Sequence, residues 1–183
     1  MTREEALALV EKNVAKKNLI KHMLAAEAAM KALALRLDED PEKWALAGLL
    51  HDLDYDRTEH DFARHGNLSA EMLEAEGVDP DIVHAVKAHP AHESCPPESP
   101  MDWALHAVDG LTGLVISATL MHPDRKLKSL DMDFLMRRFD EKRFSANVDR
   151  DQIRKCAKIG IDLEEFVEIT LKAMQSIDSE LGL

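Results

Sequence analysis

The sequence has few cysteines and few aromatic residues. Only two of its 183 residues are cysteine, Cys95 and Cys156, and no CxxC pair is present. A disulfide framework is therefore excluded. Aromatic residues make up 4% of the chain and hydrophobic residues 45%. The abundance of Ala, Leu, Glu, Lys and Met favours helices over sheet.

A signal peptide, a long apolar run and an excess of positive charge are also missing. The first residues, 1–13, lack the apolar core of a signal peptide, and the most apolar stretch, 103–121, is interrupted by His106 and Asp109. The net charge of −12 argues against binding nucleic acid or an anionic membrane through bulk charge. We therefore expect a reduced, cytoplasmic protein with neither nucleic acid nor membrane as a partner.

Signals for helix starts recur along the whole chain. Capping residues stand before proline at Asp40-Pro41, Asp79-Pro80 and Ser99-Pro100. Strand-like alternation is absent, so we predict a single all-α domain. The predicted helices cover roughly 2–13, 17–37, 41–53, 66–76, 80–89, 100–121, 131–140, 149–158 and 163–181.

The most apolar helices should form the centre of this domain, and the amphipathic last helix should cover it. The central helices would be 17–37, 41–53 and 100–121. The alternative for the last helix is a dimer surface, which would make the protein a homodimer.

Histidine is the residue present in excess. Nine histidines occur, six of them between positions 51 and 92. His22, His51, Asp52 and Asp109 lie on the three predicted central helices. Taken singly, His22 fits a satisfied core histidine and Asp109 a helix cap or an ion pair. Together, two imidazoles and two carboxylates suit a divalent ion with positions left open for water.

Further histidines could hold a second ion. His65 stands at a predicted helix start and His89 at a predicted helix end, where each could turn into a cleft and share Asp52 as a bridging ligand. His92 is the substitute ligand if His89 is not used. His106, one turn from Asp109, could orient Asp109 without binding the metal itself.

The order and spacing of these residues resemble a known family. His22, His51-Asp52 after 29 residues and Asp109 after 57 more are similar to the H…HD…D signature of the HD-domain superfamily of metal-dependent phosphohydrolases. The segments AGLLHDLDY, RHGNLSAEML, IVHAVKAHPAH and HAVDGLTGL resemble its ordered motifs, in particular those of the HDIG-like predicted hydrolases.

The resemblance, which covers about 17–120, implies an all-α, HD-type helical bundle with a central metal cleft. We expect the HD domain to span 1–124, and we expect residues 125–183, which lie outside the resemblance, to form a helical extension that packs on the same domain. It also implies one or two divalent ions (Mn, Fe, Zn, Co, Ni or Mg). The implied metal ligands are His22, His51, Asp52, Asp109, His65 and His89.

Two departures from the family pattern bear on the site. Asp54 stands two places after the pair, where many relatives have a small residue, so Asp54 or Asp56 is a ligand, a support for a ligand, or neither. No Gly-Tyr-Pro element follows the pattern typical of cyclic-di-nucleotide phosphodiesterases, so that substrate is not supported.

The resulting functional hypothesis is metal-dependent hydrolysis of a phosphate ester or anhydride on a small, nucleotide-like molecule. A bound metal would polarise the phosphoryl oxygen and lower the pKa of water. Asp52 would be the catalytic residue, ligating the metal and orienting the water. Lys87 and Arg64, close in sequence to His89 and His65, are the candidate substrate-binding cations.

Two other functions use the same residues. Di-iron oxygenases of the superfamily share the six-ligand pattern, and a non-catalytic helical module could use the site only to bind a metal or a ligand. Bound iron with oxygen-dependent turnover would indicate the first, and protein unable to take up any metal would favour the second.

Overall fold

The computed structural model describes residues 1–183 as helices joined by short connections, without a strand. The all-α prediction is confirmed. Three 3₁₀ turns occur, at Phe62–Arg64, Leu127–Ser129 and Arg154–Ile159. The α-helices in chain order are α1 (Arg3–Asn13), α2 (Lys17–Leu37), α3 (Pro41–Leu50), α4 (Tyr55–Thr58), α5 (Asn67–Ala75), α6 (Pro80–Ala88), α7 (Pro100–Met121), α8 (Met132–Asp140), α9 (Arg150–Ile153), α10 (Leu163–Ser176) and α11 (Asp178–Leu181).

The helix starts follow the capping residues. Thr2 and Glu5 form a reciprocal capping box at α1, and Ser99 and Asp102 form one at α7. Asp40 accepts hydrogen bonds from two backbone N–H groups in the first turn of α3. Such caps satisfy the free N–H groups of a first turn and stabilise a helix by about 1 kcal/mol each. They explain why sequence alone locates these starts.

The structure corrects the predicted helices in three places. The last helix is broken at Ile177, where Ser176, Ile177 and Asp178 have weaker helix propensity than the residues before them, and α11 begins anew. The segment predicted as a helix over 149–158 changes from α to 3₁₀ at Arg154, a distinction that apolar periodicity does not make. The stretch between the predicted helices 41–53 and 66–76, for which no helix was predicted, contains α4 and a 3₁₀ turn.

Helices α2, α3 and α7 form the centre of the domain. α2 and α3 touch at Gly48, where an added Cβ would lie 2.6 Å from the carbonyl oxygen of Ala26 and 2.8 Å from the backbone nitrogen of Glu27. Only glycine permits so close an approach. The contact fixes the separation of two helices that each contribute a histidine to the candidate site.

The C-terminal residues complete the same hydrophobic core. α10 packs on α2 and α7, and Phe166 and Val167 are fully buried within the cluster that also contains α2 and α7 side chains. Val148 and Ile153 lie against Gly110 of α7. The C-terminal residues therefore cover α7 at Gly110.

By length and composition α7 could cross a membrane. In this fold it is the central helix, with most of its residues buried inside the domain, which is typical of the core helix of a globular protein.

Candidate metal centre

Three central helices bring His22, His51, Asp52 and Asp109 together. His22 lies in the second turn of α2, Asp109 in the middle of α7, and His51-Asp52 directly after the last residue of α3. The Nε2 atom of His22 is 3.1 Å from His51 Nε2, 3.1 Å from Asp109 Oδ1 and 3.5 Å from Asp52 Oδ2. His51 Nε2 lies 3.4 Å from Asp52 Oδ2. The four side chains face one point.

His65 and His89 face the other oxygen of Asp52. Their Nε2 atoms lie 3.4 Å and 3.6 Å from Asp52 Oδ1 and 3.1 Å from each other. His65 follows the 3₁₀ turn Phe62–Arg64, and His89 follows the last residue of α6. Asp52 therefore lies between two groups of ligand atoms, with one carboxylate oxygen toward each.

The donor set fits divalent metal ions. Two clusters meet the spacing that a metal site requires, one around His22, His51 and Asp52 and one around Asp52, His65 and His89. Ligand atoms bound about 2.1 Å from one ion lie about 3.0 to 3.5 Å apart, close to the separations seen here. Imidazole and carboxylate together suit Zn²⁺, Mn²⁺, Fe²⁺ or Co²⁺.

Each of the four imidazoles is oriented through its Nδ1 atom. His51 Nδ1 lies 2.8 Å from the carbonyl oxygen of Gly48, and His89 Nδ1 lies 2.6 Å from that of Val86. His65 Nδ1 lies 2.8 Å from Asp54 Oδ1. A neutral ring that donates from Nδ1 presents the lone pair of Nε2, the atom that faces the cluster in all four histidines.

Thr112 orients the fourth ring, that of His22. Its hydroxyl donates to the carbonyl oxygen of Asp109 at 2.9 Å and lies 3.0 Å from His22 Nδ1, from which it can accept. Thr112 was not among the predicted site residues, because a threonine in an apolar helix gives no signal of its own. Its place on the Asp109 face of α7, three residues on, is the only sequence feature that points to it.

Asp54, whose role the sequence left open, supports His65. The carboxylate is fully buried, and its Oδ2 accepts the backbone N–H of Ser69 at 2.9 Å. Burial favours the neutral acid, but the hydrogen bonds from His65 and Ser69 outweigh it and lower the pKa of Asp54. An ionised carboxylate behind His65 increases the basicity of that ligand.

Opposite charges stabilise one another within the cluster. Burial opposes the charged form of His51, but Asp52 and Asp109 outweigh it and raise its pKa to about 9. Burial likewise opposes ionisation of Asp52, whose pKa is nevertheless held well below its usual range by His51, His89 and His22. The hydrogen bond from His22 overcomes burial and lowers the pKa of Asp109 to about 2. The buried His89 has a lowered pKa and is the more easily neutral ligand.

The cluster opens on the side of His22 and Asp109. The Asp109 side chain is 32% exposed and that of His22 17%, whereas His51 is inaccessible to solvent and His89 nearly so. Solvent therefore reaches the cluster on this side, past Asp109.

Several predicted residues lie outside the cluster. His92 is not the substitute ligand, because its Nε2 lies 2.9 Å from the backbone carbonyl of His65. His106 Nδ1 lies 2.7 Å from the backbone carbonyl of His89, so it holds the backbone of that ligand rather than its ring. Asp56 accepts hydrogen bonds from the backbone N–H groups of Ala15 and Lys16 before α2 and is not a ligand.

The structure does not bring Lys87 to the cluster. Its side chain lines a surface groove with Glu74, Val78 and His84. Residues two positions apart on a helix point about 200° apart, so Lys87 and His89 face different sides of α6. Arg64 is exposed beside His65 and makes no ion pair, and its substrate-binding role stays a prediction.

A surface cleft of about 540 Å³ lies away from the cluster. It is lined by His84, Asp102 and residues at the starts of α3, α6 and α7, and it contains no member of the cluster. Asp102 caps α7 and pairs with His84 at 3.0 Å, so its carboxylate has a structural role.

Replacing Asp54 by Asn should weaken metal binding at the His65 and His89 side alone. An amide is a poorer acceptor for His65 Nδ1–H and carries no charge, so we expect affinity for one of two ions to fall by about 10- to 100-fold. Competition titration with a chromophoric chelator measures the affinity of the protein for each ion.

The matched control is Asp61→Asn, an exposed aspartate of the same segment whose side chain forms no hydrogen bond. Unchanged affinity at both positions in Asp54→Asn protein would mean that Asp54 serves only to fix Ser69.

Comparison with known proteins points to one family. The model of the HD domain matches residues 19–122. Ribonuclease Y of Oleidesulfovibrio alaskensis is 32% identical over 97 residues, and that of Nitratidesulfovibrio vulgaris 31% over 96. Each match covers 52% of this chain and 18% of the relative. No solved structure gave a significant match.

Proposed function

The chain belongs to the HD-domain family, and on that premise we propose that it hydrolyses a phosphate ester or anhydride of a small, nucleotide-like molecule. The family lies within the superfamily of metal-dependent phosphohydrolases, and its members bind divalent metals. The observation that carries the proposal is the pair of ligand groups on opposite oxygens of Asp52.

The six side chains divide into two metal positions. His22, His51, Asp52 and Asp109 would hold one ion, and Asp52, His65 and His89 the other. Bound divalent ions polarise a phosphoryl oxygen and lower the pKa of water, the chemistry that phosphate hydrolysis requires.

The protein groups set the orientation of the reacting atoms. Asp52 lies between the two positions and would orient the attacking water through a carboxylate oxygen. Gly48, Val86, Asp54 and Thr112 hold the rings so that Nε2 points inward. Asp109, at the open side, meets the incoming substrate first.

A small substrate is favoured over a polymer. The relatives are named ribonucleases, and hydrolysis of a phosphodiester is chemistry of the proposed class. The net charge of −12, however, repels a polyanion, and the matched segment spans only about a fifth of those relatives.

Elemental analysis of protein purified without chelator, followed by a screen of phosphate-containing metabolites, tests the proposal. We expect one or two divalent ions per chain and release of phosphate or pyrophosphate that stops when a chelator removes the metal. Metal-loaded protein that cleaves no member of the screen would contradict a hydrolase.

The same experiment separates the two alternative functions. Bound iron with oxygen-dependent turnover would replace hydrolysis by oxygenation, since both reactions fit the same ligands. Protein that takes up no metal under any condition would leave a non-catalytic helical module.

A further inference from the structure

Two aromatic side chains stand at the edge of the metal centre. The chain has eight aromatic residues, and only Tyr55 and Phe62 are exposed, by 38% and 63%. The ring of Tyr55 lies 5.3 Å from that of His65, and the ring of Phe62 lies 5.9 Å from it. We call Tyr55 and Phe62 the aromatic rim. Because His65 belongs to the ligand set, these rings lie next to the cluster.

The rim is held in place by its own contacts. Asp56, next to Tyr55, accepts the backbone N–H of Ala15 at 2.8 Å and so ties α4 to the start of α2. The ring of Phe62 meets the edge of His92 at 5.1 Å, and His92 is bonded to the backbone of His65. The two rings are exposed, but these contacts fix the segment that carries them.

The charge around the rim selects among possible partners. Lys16 is already paired with Asp56 and Glu59, and Arg57 donates to Asn13. Neither Arg57 nor Arg64 forms an ion pair with a carboxylate, and the side chain of Arg64 also forms no hydrogen bond. So few free positive charges would not neutralise a chain of phosphates. They suit a flat, uncharged ring that is attached to a short phosphate group.

We propose that the aromatic rim stacks the planar base of the substrate while its phosphate lies at the metal cluster. This inference rests on the proposed function and narrows its substrate class to phosphates that carry a base. Stacking recognises any base through its π-face and reads no hydrogen-bond pattern. The enzyme would therefore require a base and tolerate a change of base.

Paired substrates isolate the contribution of the base. Adenosine monophosphate and ribose 5-phosphate share the phosphoribose and differ by the base. For metal-loaded wild-type protein we expect a lower KM for the nucleotide. Tyr55→Ala and Phe62→Ala should each raise that KM by ~10-fold and leave the KM for ribose 5-phosphate unchanged, whereas Tyr55→Phe should restore the wild-type value. Leu35→Ala, which removes a 66% exposed side chain near the far end of α2, is the control.

A binding measurement tests the rim without turnover. Phe62→Trp places an indole on the rim, and stacking by adenosine monophosphate should quench its fluorescence while ribose 5-phosphate does not. Wild-type protein, with Trp44 and Trp103 alone, and Leu35→Trp give the background.

The outcomes separate this inference from the proposed function. If wild-type protein hydrolyses neither compound but the nucleotide selectively quenches Phe62→Trp, hydrolysis of these esters is wrong and the base site stands. Equal quenching by both compounds, or alanine variants that change both KM values alike, would overturn the base site even if hydrolysis is found.

Discussion

Asp52→Ala protein should bind neither of two metal ions and should lose phosphate hydrolysis altogether. Asp52 presents Oδ2 to His22 and His51 and Oδ1 to His65 and His89, so one substitution removes a ligand from both positions. We expect metal affinity to fall by more than ~100-fold, the upper range for residues that merely support a ligand. Elemental analysis after dialysis, together with turnover, measures the loss.

The number of metal ions bound per chain distinguishes the loss of a ligand from a general loss of structure. His89→Ala should lose one ion and keep the other, because its ring faces only Oδ1 of Asp52. Asp133→Asn, on the exposed face of α8, should keep both. Helix content measured by circular dichroism should be unchanged in all three variants. Full turnover by Asp52→Ala protein would show that the cluster is not the catalytic site.

Gly48→Ala should destabilise the fold and weaken metal binding without removing a ligand. The added Cβ would meet backbone atoms of Ala26 and Glu27 at 2.6 to 2.8 Å, and neither can rotate away. α2 and α3 must then separate, at a cost of about 1–3 kcal/mol or more. The separation also parts His22 on α2 from His51 after α3. Denaturant unfolding and metal titration measure the two effects.

Gly113→Ala is the matched control within α7. A Cβ at Gly113 would meet no atom within 4 Å, and alanine in place of glycine inside a helix stabilises it by up to about 1 kcal/mol. The two alanine variants should therefore change the free energy of unfolding in opposite directions. A Gly48→Ala protein as stable as the wild type would mean that the helices adjust without separating.

The helices and the grouping of His22, His51, Asp52 and Asp109 could be anticipated from sequence. Capping residues mark helix starts by local chemistry, and charged or imidazole side chains within apolar helices require a partner. Because both signals are local to each helix, they hold without knowledge of the packing.

The supporting residues could not be anticipated in the same way. The bond between Thr112 and His22 joins residues 90 positions apart, and Asp54 reaches both His65 and Ser69 across a connection that looked like a loop. Such partners depend on the packing of helices. The position of Lys87 is different, because helical geometry already places it away from His89.

Phe166 and Val167 share a hydrophobic core with α7, so the C-terminal residues belong to the same folding unit as the central helices. The segment that matches the HD-domain model, 19–122, ends before the side chains that complete its hydrophobic core. A fragment cut at that border would leave α7 bare where Val148 and Ile153 now cover Gly110. The segment that matches the family and the segment that folds as one unit therefore end at different residues of this chain.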